Sequence, residues 1–249
     1  MATALQQPIQ QDHTATSVTA SNLAERIILI RNSMLFDGLA PAQCEDVARL
    51  ARPKTIAREE ALFTQGQPVR NLALIRTGSV KVTQLAPNGN EVILWIYGAG
   101  NVVGGLSELS VGSHSGSARA MEQSTALIWD TATLQSLMLR YPQISANTSQ
   151  ILLSRLNELE ERFREVATEK VARRVALALI RLNKHIGKKV HEGVEISLSR
   201  EELAQMTGTT LFTTSRLLSK WGEMGFVLPR RESVVLRDPY RLELSCDNL

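Results

Sequence analysis

Hydroxyl and cationic side chains recur in the segment that follows Thr209. Thr210, Thr213 and Lys220 suit contacts with phosphate oxygens, whereas Arg216 carries the planar fork that pairs with guanine O6 and N7. Together with Phe212 they fit the outward side of one helix, and they predict an interface with duplex DNA. The full set of candidate DNA contacts is Ser199, Thr210, Leu211, Phe212, Thr213, Ser215, Arg216, Lys220, Arg230 and Arg231.

The elements that must position these side chains are predicted as strand, short helix, glycine turn, second helix and hairpin. Ser199 and Glu202 have capping-box spacing, Gly208 ends the first helix and Gly225 the second. In a helix-turn-helix the second helix enters the major groove. A solvated helix in a helix-rich domain is the alternative. The expected inward face of the second helix is Leu211, Ser215, Leu217, Leu218, Trp221 and Met224.

The distribution of charge agrees with this interface. Residues 170–249 contain 14 Lys and Arg against 9 Asp and Glu, a net charge of +5, whereas the whole chain carries +3. A basic end on a slightly acidic body favours a polyanionic partner. No nucleophile motif, phosphate loop or metal-ligand spacing joins the Ser, His and acidic residues. We therefore expect no enzyme activity, no catalytic residues and no metal site.

The remaining composition is that of a globular intracellular protein. Cys44 and Cys246 are isolated, which argues against cysteine-held zinc or iron–sulfur clusters and fits the reducing cytoplasm. Residues 1–22 are rich in Gln, Thr, Ala and Ser, lack a signal-peptide pattern and are predicted to be a disordered tail. No apolar stretch approaches the ~20 residues of a membrane helix, so no membrane partner is expected.

Two further patterns precede the basic segment. From residue 54, short β-prone runs alternate with Gly and Pro, and Asn88-Gly89 is a strong hairpin signal, which predicts a small antiparallel barrel or roll. A helical region then carries a heptad stripe whose outside is filled by charged residues, including Arg155, Arg162 and Glu165. The stripe predicts a dimer helix; an amphipathic helix lying on the roll is the alternative. Its residues are Leu152, Leu156, Leu159, Phe163 and Val166.

With these motifs in view, the chain resembles the superfamily of the cyclic-AMP receptor protein and the fumarate-nitrate regulator. The resemblance covers nearly everything after the tail. It rests on Ala61-Leu62-Phe63-x-x-Gly66, Ile75-x-x-Gly78-x-Val80-x-Val82, the cassette Gly104-Gly105-Leu106-Ser107, the long helix, Ser199-Arg200-Glu201-Glu202-Leu203-Ala204 and Thr214-Ser215-Arg216-Leu217-Leu218. It implies a homodimer that binds a two-fold symmetric operator in double-stranded DNA and contacts RNA polymerase.

The sequence departs from the family at the effector pocket. Cyclic-nucleotide binders place a Glu at the position of Gly105 to hold the ribose, and an Arg before Ser or Thr where His114-Ser115 stands to hold the phosphate. Arg119 offers an alternative register but better matches a separate Arg-Ala pair. Without both charged groups, cyclic AMP or GMP binding is not expected. Candidate pocket residues are Gly104, Gly105, Leu106, Ser107, His114 and Ser115.

The cofactor and the small-molecule effector, if any, stay unknown at this point. The cysteine cluster of iron–sulfur sensors is absent, and a haem at His114 is disfavoured because a lone His is more often structural.

Phe212 stands where many relatives carry an acid for cytosine N4, and it could pack on a thymine methyl instead. A regulatory module that binds a cyclic nucleotide in the roll without acting on DNA is the rival function.

The expected fold class is α+β. Residues 1–22 form the tail and residues 23–139 a cyclic-nucleotide-binding-like jelly roll. Residues 140–168 form the dimerisation helix and residues 169–243 a winged helix-turn-helix.

Overall fold

The computed structural model of the protein describes residues 23–106 and 112–246. A helix over residues 23–31, α1, is followed by a 3₁₀ turn, Met34–Phe36, and α2, Pro41–Leu50. Eight strands come next, then two helices. These elements are β1 Arg52–Ile56, β2 Ala61–Phe63, β3 Asn71–Thr77, β4 Val80–Leu85, β5 Glu91–Tyr97, β6 Val102–Val103, β7 Ser117–Ala120, β8 Ser124–Asp130, α3 Thr131–Arg140 and α4 Pro142–Thr168.

The eight strands form a roll of two four-stranded sheets. The strand orders are β1-β8-β3-β6 and β2-β7-β4-β5, and neighbouring strands run antiparallel. The hairpin predicted at Asn88-Gly89 is confirmed: β4 pairs with β5, and Gly89 lies in the left-handed region at φ +84°. The predicted α+β fold with an antiparallel roll is likewise confirmed.

The long helix α4 packs one side against the N-terminal part of the chain. Ile144 and Ile151 are buried there with the core of α1, α2 and α3. The buried Asn147 amide donates to the carbonyl oxygens of Leu35, at 3.0 Å, and Asp37, at 2.8 Å. Pro142 occupies the first turn, where its missing N–H costs nothing. These contacts fix which side of α4 faces outward.

The C-terminal domain is a helical unit with a small sheet. Its elements are α5 Val171–Ile186, β9 Lys188–Val190, β10 Gly193–Ile196, α6 Arg200–Thr207, α7 Leu211–Glu223, β11 Val227–Pro229, β12 Val234–Leu236 and α8 Pro239–Ser245. The sheet order is β11-β12-β10-β9, so β11 and β12 form the predicted hairpin.

The predicted inward face of α7 needs correction at both ends. Leu211 and Met224 are 52% and 46% exposed, whereas Thr214 is fully buried. Leu217, Leu218 and Trp221 do lie in the core, as expected. The helix is held along its middle by α6 and the sheet, so its terminal turns project beyond the domain and their side chains reach solvent.

The C-terminal domain is docked against the roll. Ile93 and Ile96 of β5 are part of the same apolar cluster as Leu203 and Trp221. A Cβ atom at Gly98 would lie 2.4 Å from the carbonyl oxygen of His185, so this approach of two backbones requires a residue without a side chain. Three ion pairs also join the C-terminal domain to the roll. They link Lys81 with Glu202 at 2.8 Å, Arg58 with Glu232 at 3.1 Å, and Lys188 with Glu122 at 3.0 Å.

Three charged residues of α4 expected on its outside lie at this junction instead. Glu165 is 3% exposed and forms a bidentate pair with Arg181 of α5. The Arg162 guanidinium donates to the carbonyl oxygens of Leu94, Ile93 and Met206. The Arg155 guanidinium donates to the carbonyl oxygen of Val102 at 2.7 Å. The prediction was wrong here because a charged side chain that finds partners can be buried.

Candidate nucleic-acid interface

The turn between α6 and α7 is built by local capping, as the sequence predicts. The Ser199 hydroxyl accepts from the Glu202 N–H at 3.1 Å, and the Glu202 carboxylate accepts from the Ser199 N–H at 2.8 Å. Gly208 closes α6 in the left-handed conformation at φ +61°. The Thr210 hydroxyl then caps α7 by accepting from the Thr213 N–H at 3.2 Å. These contacts fix the start of α7 relative to α6.

Ser199 and Glu202 also connect this motif to the roll. Glu202 is largely buried and accepts from Lys81 of β4. Burial opposes ionisation of Glu202, but the hydrogen bonds from Lys81 and from the Ser199 N–H outweigh burial and hold the pKa of the carboxyl below its usual range. The Ser199 hydroxyl, expected at DNA, is therefore already engaged with Glu202, to which it donates at 3.0 Å.

The outward side of α7 presents the expected reading side chains to solvent. Phe212 is 76% exposed, Arg216 and Lys220 are exposed, and Thr213 and Ser215 are half-buried. Among residues 23–106 and 112–246, no carboxylate lies within ion-pair distance of Arg216, so its guanidinium is available to an external acceptor. Phe212 and Arg216 lie four residues apart, so an apolar ring and a guanidinium are presented on the same side of α7.

A concave surface beside α7 contains residues that the sequence reasoning missed. Thr213, Arg216 and Lys220 line it together with Lys170 and residues 171–172 at the start of α5. Lys170 precedes the first turn of α5, whose N–H groups have no helical partners and favour an anion. Sequence offers only a boundary signal for this contribution, because Lys170 lies between the heptad stripe, which ends at Val166, and the next helix.

The two arginines of the hairpin differ in their surroundings. Arg230 pairs with Glu195 at 2.8 Å and with Glu192 at 3.3 Å, so its charge is neutralised within the domain. Arg231 is exposed at the tip. Of the two predicted hairpin contacts, Arg231 is thus the one placed to meet a phosphate.

The roll contains a cleft of about 240 Å³ closed on one side by α4. Of the predicted pocket residues, Gly104, Leu106 and Ser115 line it, and Ser107 lies outside the described residues. The other walls are apolar and aromatic: Phe63, Val82, Leu94, Trp95, Tyr97, Leu152, Leu156 and Leu159, with Arg155.

His114 and Gly105 occupy different positions from those expected of nucleotide ligands. The His114 ring is 4% exposed and stacks on Phe63, with ring centroids 3.7 Å apart and planes 7° apart. Gly105 is buried behind the wall, and Arg119 donates to the Glu59 carbonyl oxygen at 2.6 Å. The packed ring of His114 supports the side chain of Phe63 in the cleft wall. In the described ranges, no cluster of His, Cys, Asp and Glu has the arrangement of a metal site.

Two family models match this chain, on the two domains described above. The cyclic nucleotide-binding domain matches residues 53–141, and the Crp-like helix-turn-helix domain matches residues 173–244. By carrying both domains in this order, the chain belongs to the CRP/FNR family of transcription regulators. The family consists of DNA-binding regulators, and this agrees with the helix-turn-helix and the exposed face of α7.

Two named relatives are similar to this chain in sequence, and one solved structure is similar to it in fold. The chain is 26% identical to the CRP-like cAMP-activated global transcriptional regulator of Mycobacterium tuberculosis, over 86% of this chain and 96% of that protein. It is 28% identical to the cyclic AMP receptor protein of Thermus thermophilus, over 86% and 97%. The structure of FixK2 from Bradyrhizobium japonicum superimposes with a TM-score of 0.70 at 22% identity, over 78% and 96%. No helix in the described part of the chain has the length and apolarity to cross a bilayer.

Proposed function

We propose that this regulator binds DNA as a homodimer joined along the apolar stripe of α4. The observation that supports the dimer is the exposure of that stripe: Leu156, Leu159, Phe163 and Val166 are 50%, 43%, 76% and 56% exposed. Four large apolar side chains in heptad positions on one helix form a seam that a second copy of the same helix covers. Leu152, half-buried at the rim of the roll cleft, begins the seam.

A two-fold dimer presents two copies of α7 to a symmetric operator. We expect half-sites about one helical turn apart, ~34 Å, with Arg216 paired to a guanine and Phe212 against a thymine methyl. Thr210, Thr213, Lys220, Lys170 and Arg231 then neutralise or contact phosphates.

The test of this assignment is a binding-site selection followed by variants of α7. Arg216→Ala should weaken the selected operator by about 1–3 kcal/mol and relax preference at one base pair. Lys220→Ala, the matched control, should weaken all sequences alike and lower the salt dependence by about one phosphate contact. If the Arg216→Ala protein gives an unchanged footprint and base preference, Arg216 does not contact the operator.

We further propose that cyclic AMP and cyclic GMP are not the effectors of the roll. Two features support this: Gly105 offers no carboxylate for the ribose, and His114 is packed on Phe63 instead of replacing the phosphate-binding Arg. Isothermal titration with each cyclic nucleotide should give no heat of binding. Saturable 1:1 binding at micromolar concentration would contradict this and favour the cyclic-nucleotide module as the function of the roll. Contact with RNA polymerase completes the proposed scheme.

A further inference from the structure

A second cavity lies outside the roll, where the roll, α4 and the C-terminal domain meet. It has a volume of about 170 Å³. Its walls come from β5, from α4 and from α5, and Trp95, Tyr97 and Arg155 separate it from the cleft because they line both. The apolar part of the lining is Leu35, Ile96, Val102, Ile151, Leu182 and Met206.

Four charged or ionisable side chains line this cavity: Arg155, Glu158, Arg181 and the His185 ring. The Arg181 guanidinium is already matched within the protein, because it donates to both carboxylate oxygens of Glu165, at 2.5 and 2.9 Å. The Glu158 carboxylate lies 3.9 Å from the His185 ring nitrogen.

Arg155 is the cation that faces the cavity without a carboxylate partner. Its contacts are the Val102 carbonyl oxygen and the Tyr97 ring, whose centroid lies 4.9 Å from the guanidinium carbon. Within the described ranges, no Asp or Glu oxygen lies at ion-pair distance from Arg155. A guanidinium held by one carbonyl and one ring keeps further N–H donors for a planar acceptor.

The size of the cavity limits what such an acceptor can belong to. A protein cavity of about 150 Å³ lined by Leu, Ile and Phe is large enough to hold benzene. At about 170 Å³ the present cavity holds one six-membered ring with a small substituent. A substituent with a single carboxylate matches the N–H donors that Arg155 keeps.

We propose that this cavity is a second ligand site, for a small monocarboxylate with one aromatic or alicyclic ring. The carboxylate pairs with Arg155, and the ring lies among Ile96, Ile151 and Leu182. Because the walls belong to three parts of the molecule, the ligand binds the docked arrangement of the C-terminal domain more tightly than an undocked one. Its binding therefore shifts the population towards docking.

The charge requirement is tested with benzoate and its neutral isostere benzamide, titrated calorimetrically into the full chain. Benzoate should bind about tenfold more tightly than benzamide, because the hydrogen bonds to Arg155 are charge-assisted. Arg155→Met should reduce benzoate affinity to that of benzamide, and Arg155→Lys should retain part of the difference. Equal affinities in the unmodified chain, or absence of binding, would overturn the proposal.

The location is tested by filling each cavity separately. Ser154 lines the second cavity and not the roll cleft, whereas Val82 lines the roll cleft and not the second cavity. Ser154→Trp should abolish benzoate binding and Val82→Phe should preserve it, with thermal unfolding to verify that both variants fold. The reverse result would place benzoate in the roll and refute the second site. The operator experiments with Arg216 do not depend on either outcome.

Discussion

Replacing Phe163 by alanine should weaken the proposed dimer far more than it alters the fold of a subunit. Complete burial of a Phe side chain contributes about 1.5–3 kcal/mol. Phe163 is 76% exposed within one subunit, so its burial by a partner contributes roughly 1–2 kcal/mol per subunit. Both subunits carry the change, and the loss of about 2–4 kcal/mol raises the dimer dissociation constant about 30- to 1000-fold.

Sedimentation velocity over a concentration series measures this shift directly. Phe212→Ala is the matched control, because Phe212 is the same residue type with the same 76% exposure but lies on α7. The control should dimerise like the unmodified chain. If Phe163→Ala also dimerises normally, or if Phe212→Ala is equally defective, the seam along α4 is not the dimer interface.

Three further outcomes follow from the contacts described above. Phe212→Asp should move base preference at one position towards cytosine in a binding-site selection, because a carboxylate accepts from cytosine N4; an unchanged selection would remove Phe212 from the base contacts. Gly98→Ala should increase hydrogen exchange in α5 and α6, because its Cβ would collide with the His185 carbonyl oxygen; unchanged exchange would show that the docked approach is not required. Glu202, whose pKa is lowered in the fold, stabilises the protein above the pKa of an unfolded Glu, and this contribution is lost as the pH falls through the lowered value. Glu202→Gln should therefore flatten the loss of unfolding free energy at acid pH. Chemical denaturation between about pH 3 and 6 measures it, because this range brackets the ordinary Glu pKa of about 4.3.

The parts of the interface that sequence could predict are those set by neighbours along the chain. Capping of α6 by Ser199 and its termination at Gly208 depend on residues within one or two turns, so their spacing carries the information. The same holds for the cap at Thr210. The order of helix, turn and helix follows from these local signals, and so does the exposure of Arg216.

The errors concern residues whose surroundings are set by distant parts of the chain. Periodicity alone places Leu211 and Met224 on the inner side of α7, but it does not show where the supporting elements stop. Charge alone places Glu165 on the outside of α4, but Arg181, sixteen residues away on α5, provides a partner that allows burial. Arg230 is similarly neutralised by Glu195 across the sheet.

The position of α4 explains why these distant contacts bear on regulation. Its outward seam faces the proposed partner, its Leu156 and Leu159 close the roll cleft, and its Arg162 reaches both β5 and α6. The guanidinium of Arg162 also lies over the Trp95 ring, 5.6 Å from the centroid, and Trp95 is a wall of both cavities. We therefore expect a ligand that displaces Trp95 to disturb the hydrogen bond from Arg162 to the carbonyl oxygen of Met206, in the last turn of α6. Because packed elements tend to move between discrete arrangements, we expect occupancy of either cavity to alter the presentation of Arg216.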